Sequence, residues 1–249
     1  MIFCLLLPAF HLLNSAFAAA VQRIMKSPLK AGRAVGILLL AHLATGLITP
    51  YVMLRPLNEP LVYDANDSRH AFQVRLSVML LFIGGAVTIA IAATAWPIIR
   101  EHSTALALWI LALAIANFSL QCVENAAWMS MFTLSQQHAS ASAADAGVYN
   151  IVGASVRAYW KWVHYTHLLV MVSWMSLLFA TLWRLALVPR VLAALGVLTT
   201  LMQITGITLP QFIPYPTPPM MVMGMPLGFV YLATAIWLMA KGFPKTSEQ

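Results

Sequence analysis

Asn117-Phe-Ser-Leu-Gln-Cys-Val-Glu-Asn-Ala-Ala-Trp128 interrupts an apolar run that begins at Thr104. At about 100° per residue, Asn117, Gln121, Glu124 and Trp128 fall within roughly a 60° arc of one helix face. Most of the remaining positions are Leu, Ala, Ile, Val, Met and Phe. A carboxylate, two amides and an indole therefore share one side of a helix that has no other reason to meet water. In a bilayer that stripe cannot face lipid, because a charge at mid-bilayer costs at least ~2.5–3.5 kcal/mol on insertion scales. It must face other helices, a cavity or a ligand.

The rest of the chain is written in the same style. Of 249 residues, 61% are hydrophobic and 8% charged, against about 25% charged in soluble domains. Mean hydropathy is +0.82. These values specify an all-α fold, a polytopic integral membrane helix bundle in which every backbone polar group is satisfied within its own helix. The length suits one such domain, residues 25–245, with no separate soluble unit. Formal net charge is +7 and the pI is about 9.7. The basic residues lie between apolar segments, so they read as topology signals and contacts to anionic headgroups rather than as a nucleic-acid surface. Cys4 and Cys122 both sit in apolar runs, which argues against a disulfide framework. The sequence contains no Cys-x-x-Cys, His-Glu-x-x-His, Walker-type glycine loop or Gly-x-Ser-x-Gly. No cofactor is expected.

Six spans are predicted: Ala34–Leu54, Leu76–Ile99, Thr104–Leu134, Val163–Leu187, Val191–Leu209 and Met221–Ala240. Gly84-Gly85 suits close helix contact in the second span. The third is long enough to tilt or protrude. Arg100-Glu-His102 reads as a tight turn, and Ser135 to Gly147 as a small polar loop before helix resumes near Val148. Pro210-Gln-Phe-Ile-Pro-Tyr-Pro-Thr-Pro-Pro219 reads as an extended connector. Gly46-Leu-Ile-Thr-Pro50 and Gly206-Ile-Thr-Leu-Pro210 form a faint internal echo. Residues 1–24 are an apolar segment with three readings: a signal peptide ending near Ala16-Phe-Ala18, a seventh helix, or sequence preceding a start at Met25.

Charge sets the orientation. With Lys26, Lys30 and Arg33 in the cytoplasm, Arg100, Arg184, Arg190, Lys241 and Lys245 fall on the same side, as the positive-inside rule requires. The expectation is a multi-pass protein of the cell inner membrane with a cytoplasmic C-terminus. Arg157 and Lys161 fall on the other side.

Glu124 is the principal candidate for chemistry: a proton-binding carboxylate, a cation partner or a general acid/base. Its structural counterpart is a buried carboxyl held by Arg157, Lys161 or a histidine. Arg157, Trp160, His164, His167, Met171 and Trp174 recur at three-four spacing, and if the third and fourth spans pair as a hairpin, His164 and His167 approach Glu124. The ligand- or proton-binding set is thus Glu124, Asn117, Gln121, Arg157, Lys161, His164 and His167. No metal site is expected. His164, His167 and Glu124 are the only ligand set worth naming for zinc or iron, and no fourth ligand is evident. The plainer reading of the His pair is an interfacial one, beside Trp160, Trp162 and Tyr165. His42, Gln203 and Asn117 read as interhelical hydrogen-bond partners.

Gln73-Val-Arg-Leu, Val123-Glu-Asn125, His164-Tyr-Thr-His-Leu-Leu169 and Leu187-Val-Pro-Arg-Val-Leu-Ala-Ala-Leu-Gly196 give the chain a resemblance. From about Arg33 to Phe243 it resembles bacterial multi-pass inner-membrane proteins of the domain of unknown function 4386 family. The resemblance implies six membrane helices and lends no activity. Three functions stay open: a protein binding or moving a small ligand or proton through a polar interior built on Glu124; an intramembrane acid/base or metal enzyme on a lipid-like substrate; and an accessory subunit whose polar stripe docks a partner. The expected surroundings are the lipid bilayer and a small-molecule ligand, without nucleic acid. Oligomeric state is not legible.

Overall fold

The computed structural model describes residues 27–54, 68–139, 142, 146–213 and 219–244. The readings of residues 1–24, and of Glu59, Asp64 and Asp67, fall outside them, as do residues 214–218 of the proline-rich stretch. Among the described residues there are six long helices and no strand: α1 (Pro28–Ile48), α2 (Ser68–His102), α3 (Thr104–Ala139), α4 (Ala146–Arg184), α5 (Arg190–Thr208) and α6 (Pro219–Lys241). All six are long and apolar enough to cross a membrane. The protein is an integral membrane helix bundle.

Each helix packs on its neighbours in sequence, and α1 packs on α6, so the bundle closes into a ring. The ends follow local chemistry. Pro28 opens α1 at a position whose N–H has no helical partner anyway. Gly242, at φ 67°, closes α6 against the start of α1, where the Phe243 N–H donates to the Pro28 carbonyl at 3.3 Å. The α4–α5 turn is a Schellman arrangement: Leu187 N–H to Leu182 O at 3.0 Å and Ala186 N–H to Trp183 O at 3.2 Å, with Ala186 at φ 47°. Both proline echoes distort a helix end. Thr49–Leu54 is a π-helical turn, and Leu209–Gln211 is a 3-10 turn.

Three sequence boundaries shift. Helix α2 runs through Arg100 and Glu101 to His102, and Ser103 alone breaks the chain before α3. Gln136, Gln137 and His138 are helical, because α3 continues to Ala139. Pro210 and Gln211 belong to the 3-10 turn rather than to an extended connector. In each case helix persists because flanking helical turns already satisfy the backbone, so polar side chains alone do not end it.

Close approach needs small residues. A Cβ on Gly36 would stand 2.6 Å from the Met239 nitrogen and 2.8 Å from the Ala235 carbonyl oxygen of α6. On α2, a Cβ at Gly84 would stand 2.6 Å from Thr45 Oγ1, and one at Gly85 3.1 Å from the Phe118 ring. This is the packing that lipid-embedded helices use in place of a hydrophobic drive.

Helix lengths reveal a second feature. α1, α5 and α6 have 21, 19 and 23 residues, while α2, α3 and α4 have 35, 36 and 39. About 20 residues cross a hydrocarbon core of about 30 Å. On α4, the exposed Trp162 and Trp183 are separated by roughly 32 Å at about 1.5 Å per residue, the spacing of two interfacial aromatic belts. Helix α4 is therefore longer than one crossing needs, and its N-terminal part lies at the end opposite the basic turns. The N-terminal part of α2 and the C-terminal part of α3 go with it. This overhang has its own apolar cluster of Leu54, Val74, Trp128, Met131 and Phe132. The larger cluster, from Ala31 through Trp174 to Phe243, fills the membrane part.

Candidate functional site

Between the two clusters lies a polar layer. α1 contributes Thr45 and Thr49; α2 contributes Thr88; α3 contributes Asn117, Gln121, Glu124 and Asn125; α4 contributes His164 and His167. The four residues of the α3 stripe, Asn117, Gln121, Glu124 and Trp128, are all buried. Helix α3 presents them inward because α2 and α4 flank it on that face, and lipid-facing positions such as Leu108 and Ile115 lie elsewhere on its circumference.

Glu124 is the hub. Its Oε1 lies 2.8 Å from His164 Nδ1, and its Oε2 lies 2.7 Å from His167 Nδ1. Both are lengths of charge-assisted hydrogen bonds. The i, i+3 spacing of the histidines on α4 makes this possible, since it sets two rings one turn apart on one face. With Glu124 ionised, each imidazole donates from Nδ1, so each neutral ring keeps Nε2 as its free basic atom. His167 Nε2 is buried and has no hydrogen-bond partner. The His164 side chain is 31% exposed, whereas those of His167 and Glu124 are 7% and 6% exposed. Trp160 stacks on His164 at 5.3 Å between centroids and 18° between planes, and Trp128 meets Trp160 edge-on at 5.0 Å. The indole face holds the His164 ring in place.

Depth follows from the aromatic ruler. His164 is two positions from the exposed Trp162 and His167 five, so Glu124 is level with the Trp162 end of that ruler. One histidine edge opens outward there, and the other faces the interior.

The remaining candidates separate. Asn117 Nδ2 donates to Thr88 Oγ1 at 3.3 Å, and its Oδ1 is buried without a partner. Gln121 Nε2 donates to Asn125 Oδ1 at 2.9 Å, and Asn125 Nδ2 donates to the Val78 carbonyl at 3.2 Å. These amides tie α2 to α3 beneath the carboxylate. Arg157 and Lys161 are exposed on α4, and the Lys161 ammonium sits 5.7 Å from the Trp162 ring centroid. Among the described residues, no group of three His, Cys, Asp or Glu side chains is arranged to hold a metal ion; His164 and His167 meet Glu124 as hydrogen-bond donors.

Deeper in the ring, His42 Nδ1 and the Tyr231 hydroxyl share a 2.9 Å hydrogen bond between α1 and α6. Trp174 packs edge-on against His42 at 5.9 Å. The sequence marks His42 as a hydrogen-bond partner but gives no hint of Tyr231, which follows the apolar run from Met220 to Val230 that carries no periodic cue. Asn125 was visible only as part of the Val123-Glu-Asn125 step.

The chain matches a family model described as Domain of unknown function (DUF4386) over residues 34–242. That range nearly coincides with the Arg33–Phe243 stretch that carries the resemblance. No curated protein and no solved structure matches the chain.

Proposed function

Because the chain belongs to the family described as Domain of unknown function (DUF4386), which assigns it no activity, we propose a function from the site itself. The protein is a multi-pass inner-membrane protein, C-terminus cytoplasmic, that binds and translocates protons through a polar interior centred on Glu124, alone or together with a small ligand. The observation that carries this reading is the double hydrogen bond from His164 and His167 to one buried carboxylate.

Charge counting supports it. An ionised Glu124 with two neutral imidazoles carries one negative charge, and a single proton on either Nε2 makes the cluster neutral. Both carboxylate oxygens already accept an N–H, which leaves the site better suited to take a proton than to wrap a metal cation. Chains of Asp, Glu and His within membrane helices are a known form of proton relay.

The test is acidification of vesicles. Purified protein is reconstituted in liposomes holding an entrapped pH-sensitive dye, and the outside is acidified. Wild type is expected to acidify the lumen faster than protein-free vesicles, Glu124→Gln to match protein-free vesicles, and the lipid-facing Leu198→Ala to match wild type. Wild-type vesicles no faster than empty ones would remove the proposal.

A further inference from the structure

We propose that His42 and Tyr231 form a second proton-binding station, so that a proton taken up at the Glu124 cluster continues through α1 and α6 toward the basic end of the bundle. This rests on the proton-translocating reading above and extends it to a path.

The geometry is a row of protonatable groups. It begins at the partly exposed His164, passes through Glu124 to the buried His167, and continues to His42, which packs on Trp174 two turns along the same face of α4 from His167. It ends at Tyr231, 2.9 Å from His42. Helix α4 again gives the depth. His164 lies next to the Trp162 belt, and Trp174, packed on His42, lies nine positions from Trp183. The row therefore covers roughly 15 Å of a hydrocarbon core of about 30 Å. Every group after His164 is buried.

The interior is too polar for simple packing. His167 Nε2, Asn117 Oδ1 and Trp174 Nε1 are buried atoms without hydrogen-bond partners. An unpaired buried polar atom costs about 1–3 kcal/mol, and a core built only for stability replaces such groups with apolar ones. Of the three, His167 Nε2 is the one that can take up and release a proton, and it lies within the row. The groups in contact with His42 are Tyr231 from α6 and Trp174 from α4, with His167 two turns away along the same face of α4. None of them carries a fixed charge.

The step balances. A proton received on His42 Nε2 makes an imidazolium whose Nδ1–H donates to the Tyr231 oxygen. Loss of one of the two ring protons to water on the basic side returns a neutral ring. No hydrogen bond joins His167 to His42 in this structure, so that gap is where passage is controlled.

Two measurements on full-length protein test the inference. In the vesicle assay, His42→Gln is expected to slow proton entry by at least about tenfold, with a smaller loss for Tyr231→Phe, since one positioned proton-transfer group contributes about 10²–10⁴-fold where it is essential. In nanodiscs with 15N-labelled histidine, the titration of the His42 ring signal is expected to move when His167 is replaced by Gln. Tyr231→Phe, which deletes one oxygen, guards against a His42 variant that fails to fold. If both variants pass protons at the wild-type rate while Glu124→Gln does not, the second station is wrong and the Glu124 reading stands. An unchanged His42 titration overturns the station whatever the flux. Absence of flux in wild type overturns both.

Discussion

Glu124 and His167 are 43 positions apart in the chain, yet Oε2 and Nδ1 meet at 2.7 Å where the membrane cluster of the bundle gives way to the cluster of the overhang. That bond ties α3 to α4 where the two apolar clusters meet. Replacing Glu124 by Gln removes the charge and leaves one oxygen for two donors. Hydrogen bonds between membrane helices average about 0.6 kcal/mol, and those to charged groups about 1.5–3 kcal/mol in soluble proteins. A double-mutant cycle of Glu124→Gln with His167→Gln, read by unfolding in mixed micelles, is expected to give a coupling of about 1–2 kcal/mol. A coupling near zero means the two side chains do not hold this geometry in lipid.

The α1–α6 seam depends on Gly36. A Cβ there meets backbone atoms of Met239 and Ala235 within 2.8 Å, and backbone cannot swing aside. Gly36→Leu is expected to lose about 1–3 kcal/mol, the usual cost of overpacking, and to lower the melting midpoint in detergent. Gly46, on the same helix, has nothing within 4 Å of a built Cβ. Gly46→Leu is therefore expected to leave stability unchanged or slightly improved, since leucine is the better helix former. Equal effects at the two positions would disprove the seam.

Much of the architecture is legible in residue type alone. Apolar runs of the right length give six helices, and the Asn117–Trp128 stripe must turn inward because lipid rejects it. Reading His164 and His167 beside Glu124 required only the hairpin of two consecutive spans and an i, i+3 spacing. Other features are not legible, for physical reasons. The His42–Tyr231 pair depends on ring closure of α1 onto α6, a contact between distant parts of the chain that periodicity does not encode. The extra turns of α4 are partly legible, since helix is expected from near Val148 and the apolar span only from Val163, whereas the extension of α3 through Gln136, Gln137 and His138 reads as loop because its residues are polar. The depth of Glu124 depends on where the bilayer ends, and sequence periodicity does not encode that.

The overhang makes a topological prediction. Ile151 is 72% exposed on the part of α4 beyond Trp162, while Leu198 is 54% exposed in the middle of α5. With Cys4 and Cys122 changed to Ser, a single cysteine at position 151 is expected to react fully with a membrane-impermeant maleimide added outside intact cells. A single cysteine at position 198 is expected to stay unlabelled until the membrane is dissolved. Labelling of both, or of neither, would mean that α4 lies within the bilayer along its whole length or that the bundle is inverted.

The two left-handed residues predict opposite responses. Ala186 stands at φ 47° where the α4–α5 Schellman turn calls for glycine, and Gly242 stands at φ 67° where α6 ends on α1. The left-handed conformation costs an L-residue roughly 1–2 kcal/mol. The added freedom of glycine in the unfolded chain offsets about 0.4–1 kcal/mol of any relief. Ala186→Gly is therefore expected to stabilise by about 0.5–1 kcal/mol, seen as a higher melting midpoint with no change in proton flux. Gly242→Ala adds strain and also sets its Cβ 2.8 Å from the Leu29 Cα. It is expected to destabilise by about 2 kcal/mol or more. Parallel thermal scans of the two variants decide the matter, since the opposite signs come from one backbone conformation occupied by two different residues.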